Sequence, residues 1–564
     1  MKQNSAAKMS ALLMTLANLP SYSFATPLLR RNEISYGTNG TNVTMIDAWE
    51  QITPSADLNW TPCFQNFTCT RLTVPLDYAE PSVGTTDIAF IKWTSPQAQN
   101  SSNSPPPQDI LVNPGGPGNS GVGYLISGIK YLVAAGGAQH NYVGFDPRGV
   151  NNSGPSLSCF PKLQKHTQIL YEPQAALGVQ ADGPESIVDT WRRGEAFGEF
   201  CTKYHGANSS ARYANTVGTA TDMLHYTELL AKQNGQNPEQ SKLWYWGVSY
   251  GTLLGSTFAS LFPQRVGRMI LDGVVDGEDY YAGKWEFNIE DADAAIETFF
   301  TSCFENKELC PLAAESESPK AVQTKYDAII EQLKTRPAIV SDPAIVDTPS
   351  VFTYREFQTT LVIAPYDPIT YWPVLAGMVS VLATGNADAI ANFTNTGMFR
   401  DPLGPHVTQY QALEPLPFIA CNDANGRYLL DTLPKWKNHV DILYKKSRYL
   451  GEGWSKVVAP QCTKLGFRAP KSQVFEGVPS AKNTSHPILF ASNEIDPVTP
   501  LSAAKKMQGL FGGAGLLVQK AVGHATSSTK SNCTFEHIAK YFSTGELPPK
   551  DLVCKADILP FQKV

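Results

Sequence analysis

The sequence predicts an α/β protein, in which a mainly parallel sheet carries helices on both faces and is interrupted by a large, mainly helical insertion. Up to about residue 277, short apolar runs alternate with helical stretches, the pattern of a parallel sheet covered on both faces. The following segment is helical and loop-like, and strands return at "HPILFASNEIDPVTP" and "GLLVQKAVGHAT". We interpret the insertion as a cap over the strand ends, where ligands bind in open sheets.

The N-terminus is predicted to be a secretory signal. Lys2 and Lys8 precede an apolar stretch that runs from Met9 to Leu19. Ser23-Phe24-Ala25 then has the small-x-small pattern of a signal-peptidase site. We therefore expect a secreted protein, with Arg30-Arg31 as a candidate dibasic processing site. The predicted segments are the signal peptide (1–25), an N-terminal extension (26–58), the first part of the sheet core (59–285), the cap (286–480) and the second part of the core (481–564).

The core elements follow from hydrophobic periodicity and turn residues. "CTRLTVPLDYAEPSVGTTDIAFIKWTS" alternates like an antiparallel hairpin with a turn near Pro81 to Gly84. "DILVN" and "NYVGF" are buried strands that lead into glycine-containing loops. "NTVGTATDMLHYTELLAKQ" has helical periodicity, with Asn215 or Thr216 as its cap. In the insertion, "DADAAIETFFTSCFE", "AVQTKYDAIIEQLKTR" and "YWPVLAGMVSVLATG" are predicted to be helical.

A candidate nucleophile lies in "LWYWGVSYGTLLG", where Ser249 stands between Gly247 and Gly251. A buried strand precedes the serine and a helix follows it, which is the context of a strained turn that exposes a serine hydroxyl. The glycines fit because side chains two residues on either side of the serine would collide in such a turn. A serine hydroxyl still needs a base and a group that orients this base.

The base and the acid are predicted from their positions after strands. His524 directly follows the strand "GLLVQKAV", and Asp496 follows the preceding strand, which Pro497 ends. The order serine, acid, histidine is the one expected for this arrangement of strands. Glu494 competes with Asp496 for the role of the acid, and His537, inside a helical pattern, is a weaker candidate for the base.

An acyl-transfer site also needs backbone donors for the oxyanion that forms on the substrate. The residue after the nucleophile, Tyr250, supplies one N–H group. The glycine-rich loop "NPGGPG" follows an earlier strand and supplies the other, for which we select Gly116. Serine, histidine and backbone donors complete this chemistry, so the sequence predicts no metal and no organic cofactor.

Composition excludes some functions. The 564 residues are 42% hydrophobic and 17% charged, as in soluble globular proteins, and the net charge of −6 argues against a nucleic-acid partner. No run of 18 apolar residues is present, so no membrane span is predicted.

Cysteines and glycosylation sequons agree with secretion. The ten cysteines lack the spacing of zinc ligands and are interpreted as disulfides. The sequence does not fix the pairing, but local spacing favours Cys63–Cys69, Cys303–Cys310 and Cys533–Cys554, which leaves Cys159–Cys201 and Cys421–Cys462. Ten N-x-S/T sequons are present, at Asn39, Asn42, Asn59, Asn66, Asn100, Asn151, Asn208, Asn392, Asn483 and Asn532.

Taken together, "VNPGGPG", "GFDPRG", "WGVSYGT", "RMILDGVVD", "NEIDPVTP" and "VGHAT" resemble the tripeptidyl/prolyl aminopeptidase family of α/β-hydrolases. The resemblance covers roughly residues 60–285 and 480–560, and the C-terminal cysteine-bearing segment resembles the TAP-like terminal domain of this family. It implies an α/β-hydrolase fold, a Ser249–Asp496–His524 triad and an oxyanion hole in the loop Gly115 to Gly118. The chain departs from prolyl aminopeptidases at Pro114, where they carry histidine, and has Ala525 after the triad histidine.

The substrate is less well defined by the sequence. An aminopeptidase must bind an α-ammonium ion, and "DGEDYYAGKWEFNIEDADAAIE" offers eight acidic residues, of which Glu286 and Glu290 would share a helix face. A solvated acidic helix is the alternative. We therefore expect an exopeptidase that acts on short peptides. The other hypotheses are an esterase, lactonase or amidase that acts on a small-molecule acyl substrate, and a binding protein without activity, against which the intact triad argues.

Overall fold

The computed structural model describes residues 45–99, 107–160, 183–206, 208–344, 349–384, 390 and 414–562. Some sequence-based predictions therefore lie outside the described residues. These are the signal peptide (1–25), the Arg30-Arg31 site and the sequons at Asn39, Asn42, Asn100 and Asn392.

The core is a ten-stranded sheet with the strand order β1-β2-β3-β5-β4-β6-β7-β10-β11-β12. The antiparallel hairpin is present, because β2 pairs with β3 on either side of a turn that contains Pro81–Val83. From β5 across to β12 all neighbouring strands are parallel. The strands are β1 (Thr61–Cys63), β2 (Phe67–Pro75), β3 (Thr85–Trp93), β4 (Asp109–Asn113), β5 (Asn141–Phe145), β6 (Leu243–Val248), β7 (Val266–Asp272), β10 (Leu489–Ile495), β11 (Gly515–Val522) and β12 (Val553–Lys555).

Helices cover both faces of this sheet, which confirms the predicted α/β class. Successive residues of one strand point to opposite faces, so Trp246 packs with the side chains of α1 and α14 while Tyr245 packs with those of α3 and α4. Asn215 caps α3 by accepting a hydrogen bond from the N–H of Gly218. The helices of the core are α1 (Gly121–Gly136), α2 (Pro184–His205), α3 (Thr216–Gln233), α4 (Tyr250–Leu261), α13 (Leu501–Gly509) and α14 (Asn532–Thr544).

The segment between β7 and β10 is mainly helical. The three helices predicted there are present as α6, α7 and α9, whereas the sequence did not indicate the two-stranded sheet of β8 (Ala338–Val340) and β9 (Ser350–Phe352). The helices are α5 (Gly277–Ala282), α6 (Ala292–Glu305), α7 (Pro319–Thr335), α8 (Tyr354–Ile363), α9 (Pro368–Thr384), α10 (Pro415–Ala424), α11 (Leu433–Lys446) and α12 (Gly451–Ser455).

The structure joins all ten cysteines in five disulfides, with the pairing that local spacing favoured. The pairs are Cys63–Cys69, Cys159–Cys201, Cys303–Cys310, Cys421–Cys462 and Cys533–Cys554. All six sequon asparagines within the described residues are solvent-exposed, namely Asn59, Asn66, Asn151, Asn208, Asn483 and Asn532. Within that part of the chain, no helix is both long and apolar enough to cross a membrane.

Candidate active site

Ser249 occupies the turn between β6 and α4, with φ 58° and ψ −126°. A residue other than glycine rarely adopts a positive φ, and such strain persists only where the surrounding structure enforces it. Here the N–H of Ser249 donates to the carbonyl of Asp272 at the end of β7, with an N–O distance of 3.0 Å. The neighbouring strand therefore holds the serine at the carboxyl edge of the sheet.

Close backbone packing around this turn explains its glycines. A Cβ on Gly247 would lie 2.3 Å from the carbonyl oxygen of Gly251, and one on Gly251 would lie 2.7 Å from that of Asn113. Gly115 is equally restricted, because its Cβ would lie 2.7 Å from the Cβ of Ser249. Any side chain at these positions would move the serine or the glycine-rich loop.

Asp496 and His524 lie at the ends of β10 and β11, as predicted. The carboxylate of Asp496 is fully buried, and each of its oxygens lies 3.1 Å from Nδ1 of His524. It also accepts hydrogen bonds from the N–H groups of Val498, Thr499 and Ala525. If Nδ1 donates to this carboxylate, Nε2 of His524 is left as the base.

Two further residues fix the histidine. The backbone N–H of His524 donates to the carbonyl of Tyr366, and the two rings meet edge to face with centroids 4.9 Å apart. Thr499 Oγ1 donates to Asp496 and lies 3.1 Å from Nδ1 of His524. Ser249 Oγ and His524 make no hydrogen bond among the described residues. In unliganded enzymes this bond is often long and shortens when substrate binds.

The predicted oxyanion donors lie beside the serine. Gly116, with φ 104°, and Tyr250, the first residue of α4, line one cavity together with Ser249. Within the described part of the chain, neither backbone N–H group donates to another residue. Two free N–H groups beside a nucleophile are what a tetrahedral oxyanion requires.

The cavity is small and partly open to solvent, and the space of about 330 Å³ between its lining residues includes part of the surrounding solvent. Its floor comes from the sheet core, and residues of the insertion form much of its wall. Polar groups are few, namely Asn288 and Thr499 besides Ser249 and the tyrosine hydroxyls. Five aromatic residues line the cavity, namely Tyr250, Tyr280, Trp285, Tyr366 and Trp454.

The prediction for Glu286 and Glu290 is wrong in its geometry. Both residues precede the start of α6 at Ala292, with Glu286 in irregular backbone and Glu290 in a turn, so they share no helix face. Glu286 accepts a hydrogen bond from Tyr428 and lies 3.7 Å from Nδ1 of His439, an interaction that lowers the pKa of its carboxyl. Neither glutamate lines the cavity at Ser249.

Glu290 also has partners of its own. It binds Lys446 and Ser502, with distances of 3.3 and 3.2 Å. The sequence places only Lys284 near these acidic residues, because Lys446 and His439 lie about 150 residues further along the chain. The two glutamates thus anchor the 285–291 turn, and other residues of this turn, Trp285 and Asn288, reach the cavity.

Two buried carboxylates near the site were not predicted. Asp272, the last residue of β7, accepts hydrogen bonds from the N–H and hydroxyl groups of Thr526. Its position at the end of a strand could have identified Asp272 as a candidate site residue from the sequence. Asp423, in α10, accepts hydrogen bonds from Thr216 and Tyr280. It is brought to the site only by tertiary packing, so no local pattern marks it.

One group of residues has the proximity that metal ligands would need. Cys533, His537 and Cys554 have ligand atoms within 4.8 Å of one another. The two cysteines form a disulfide, so their sulfurs cannot act as thiolate ligands.

Comparisons with known proteins agree with this architecture. Residues 110–309 match the alpha/beta hydrolase fold family, and residues 447–554 match the TAP-like protein family. The serine protease Hip1 of Mycobacterium tuberculosis is 25% identical over 509 residues, which cover 88% of this chain and 91% of Hip1. The tripeptidyl aminopeptidase of Streptomyces lividans is 24% identical over 524 residues, 90% of this chain and 88% of the relative.

A third relative has a different activity in its name. Carboxylesterase B of Mycobacterium tuberculosis is 23% identical over 492 residues, 86% of either chain. The chain is therefore an α/β-hydrolase with a TAP-like C-terminal part, distantly homologous to Hip1 and to tripeptidyl aminopeptidase. At this level it is a serine hydrolase of the TAP-like family.

Proposed function

We propose that this serine hydrolase is a secreted exopeptidase of the tripeptidyl- or prolyl-aminopeptidase type, which releases short peptides or single residues from a free N-terminus. The observation that carries the proposal is the small cavity at Ser249, which residues of the insertion wall on one side. Such a walled cavity suits the short end of a peptide better than the middle of a long chain. Two of the relatives, named as a serine protease and as a tripeptidyl aminopeptidase, support peptide chemistry.

The reaction follows from the arrangement of the groups. Nε2 of His524 takes the hydroxyl proton as Ser249 Oγ attacks the scissile carbonyl carbon. The N–H groups of Gly116 and Tyr250 bind the oxyanion, and Asp496 stabilises the imidazolium. The imidazolium then gives its proton to the leaving amine, and an acyl-enzyme forms. Water, deprotonated by His524, attacks this ester and releases the N-terminal product and Ser249.

An esterase or amidase that acts on a small-molecule acyl substrate is the second candidate. Among the described residues that line the cavity, none is a carboxylate, and five are aromatic. Such a lining also suits an apolar acyl group or an aryl leaving group. One relative is named as a carboxylesterase.

Two chromogenic tripeptides, identical except for N-acetylation, distinguish the candidates. We expect rapid turnover of the free peptide, slow turnover of the acetylated one, and at least a roughly 10³-fold loss in Ser249→Ala, which removes the nucleophile. A short-chain aryl ester is assayed in parallel. Cleavage of the ester while both peptides stay intact would contradict the exopeptidase and support the esterase.

A further inference from the structure

Asp423 is a buried carboxylate that forms no ion pair in the part of the chain that the structure describes, and the charge of Arg427 acts on it only from a distance. Asp423 is 4% exposed. Oδ1 accepts a hydrogen bond from the N–H of Thr216, and Oδ2 accepts from the hydroxyls of Thr216 and Tyr280. The nearby guanidinium of Arg427 donates instead to the backbone carbonyls of Asp423, Tyr281 and Phe475. A charge buried in this way is normally paired, because desolvation is costly.

The hydrogen bonds of Asp423 lead directly to the cavity wall. Tyr280 donates its hydroxyl to Asp423 over 2.9 Å, and its ring lines the cavity. The hydroxyl of Tyr250, whose ring is another part of the wall, lies 2.7 Å from Thr216 Oγ1, which donates to Asp423. The negative charge thus lies directly behind two of the aromatic walls.

The aromatic walls are held in fixed positions. The ring of Tyr280 lies 5.4 Å from that of Trp285, which lies 6.3 Å from that of Trp454. Trp285 has φ 56°, a strained value for a bulky residue, and its carbonyl accepts a hydrogen bond from Nε1 of Trp454. The strained backbone of Trp285 therefore holds its ring between those of Tyr280 and Trp454, and all three residues line the cavity.

These features give the cavity an electrostatic character that its neutral lining does not reveal. Aromatic faces attract cations, and a phenol that donates to a carboxylate gains electron density. None of the described residues that line the cavity is positively charged. Burial raises the pKa of Asp423 to about 6, so its carboxyl is ionised at pH 7.5.

We propose that the faces of Tyr280, Trp285 and Trp454 form an ammonium subsite, for which the carboxylate of Asp423 is the countercharge. The inference rests on the proposed function, because the ligand is the α-ammonium group of a peptide substrate. It replaces the carboxylate pair that the sequence predicted: a single acid acts here through an aromatic wall. Acetylation removes the charge, and the subsite then contributes nothing.

The test compares ammonium preference, defined as kcat/KM for the free tripeptide divided by kcat/KM for its N-acetylated form. Asp423→Asn keeps the shape and removes the charge, and we expect a roughly ten- to thirty-fold lower preference, the size of the attraction between two opposite charges on either side of an aromatic ring. An unchanged preference would overturn the proposal. So would an equal loss on both peptides, which would show that Asp423 only positions Tyr250.

Two tyrosine variants decide the matter if Asp423→Asn does not fold. Tyr280→Phe removes the hydroxyl that donates to Asp423, whereas Tyr449→Phe removes one that accepts a hydrogen bond from Gln323 and belongs to a ring outside the cavity. We expect the ammonium preference to fall several-fold in the first variant and to stay unchanged in the second. Equal behaviour of the two variants would contradict the subsite.

An ester assay separates failure of the subsite from failure of the exopeptidase proposal. The free and the acetylated tripeptide amide compete against hydrolysis of a neutral aryl ester. In one outcome, the chain cleaves neither peptide while the free peptide inhibits ester hydrolysis more strongly than the acetylated one. If Asp423→Asn then removes this difference in inhibition, the subsite stands and the exopeptidase proposal falls. Equal inhibition by the two peptides would contradict the subsite itself.

Discussion

At the scale of single residues, Asp272 makes the stability of the folded protein depend on pH. Burial raises the pKa of its carboxyl to about 6, the hydrogen bonds from Thr526 oppose this rise, and the charge of Asp496 adds to it. Its ordinary pKa is 3.8. Because the pKa is higher in the folded chain, the protonated form favours folding. This contribution to stability is complete below pH 3.8 and is lost as the pH rises through 6.

The variant Asp272→Asn isolates this effect. Between pH 4.5 and 7.5 we expect the wild type to lose about 2 kcal/mol of unfolding free energy relative to the variant. Denaturant unfolding at several pH values measures the difference, and any constant cost of the amide cancels. Asp551→Asn, at an exposed carboxylate, controls for the change in net charge. A pH-independent difference between wild type and Asp272→Asn would contradict the assignment.

The positions of site residues could be predicted from the sequence where these residues follow strand ends. Ser249, Asp496 and His524 follow the core strands β6, β10 and β11, and the parallel sheet brings such ends to one edge. The prediction from sequence was wrong for Glu286 and Glu290, because their partners lie in α11 and α13. Asp423 was missed for the same reason, since its partners, Thr216 and Tyr280, lie in other elements.

At the scale of elements, α10 depends on a disulfide. Cys421 lies two residues before Asp423 and is bonded to Cys462, which closes a loop with a sequence separation of 41. Replacing both cysteines by serine is expected to cost roughly 4 kcal/mol of unfolding free energy, from loop entropy. We also expect a lower ammonium preference, because α10, which carries Asp423, is then no longer covalently linked to Cys462.

The matched control is the double serine variant at Cys533 and Cys554. Its loop, with a separation of 21, should cost roughly 3 kcal/mol, but it joins α14 to β12 in the core, and none of these residues lines the cavity. Thermal unfolding measures both losses, and the two peptides measure the preference at a temperature where both variants remain folded. Equal loss of preference in both variants would show a general effect of stability.

Four helices with long, regular periodicity were predicted, whereas α2 and α11, with 22 and 14 residues, were not, and neither were several short or strained elements. The helices α3, α6, α7 and α9 run for 14 to 18 residues, so their apolar faces repeat often enough to be recognised. The strands β8 and β9 have three residues each and show no repeat. The turn at 285–291 was taken for helix, since nothing in the sequence reveals the positive φ of Trp285.

At the scale of the whole molecule, the sheet carries the proposed catalytic groups and the insertion forms much of the cavity wall. The proposed nucleophile, acid, base and oxyanion donors all follow core strands, and motifs for all of them are present in the sequence. The cavity wall comes largely from residues between β7 and β10, where packing decides which side chains face the serine. Relatives at 23 to 25% identity include named proteases and an esterase, so the residues that line the cavity are a better guide to the substrate than the relatives are.

The cysteines and the glycosylation sequons support passage through an oxidising compartment in which proteins are glycosylated. All ten cysteines are paired, and the six described sequon asparagines are exposed, as acceptors for glycans must be. We propose that residues 1–25 direct the chain to secretion. Expressed in full in a eukaryotic secretory host, it should reach the medium with Thr26 as its first residue, or Asn32 if Arg30-Arg31 is cleaved.

N-terminal sequencing of the medium fraction identifies the cleavage site, and glycosidase treatment should lower the mass of the protein. A reducing agent should lower its unfolding temperature, because the five disulfides restrict the unfolded chain. A copy that begins at residue 26 is the control and should stay inside the cell. A full-length chain retained in the cytosol with Met1 intact and free thiols would contradict secretion, while leaving the serine hydrolase assignment unaffected.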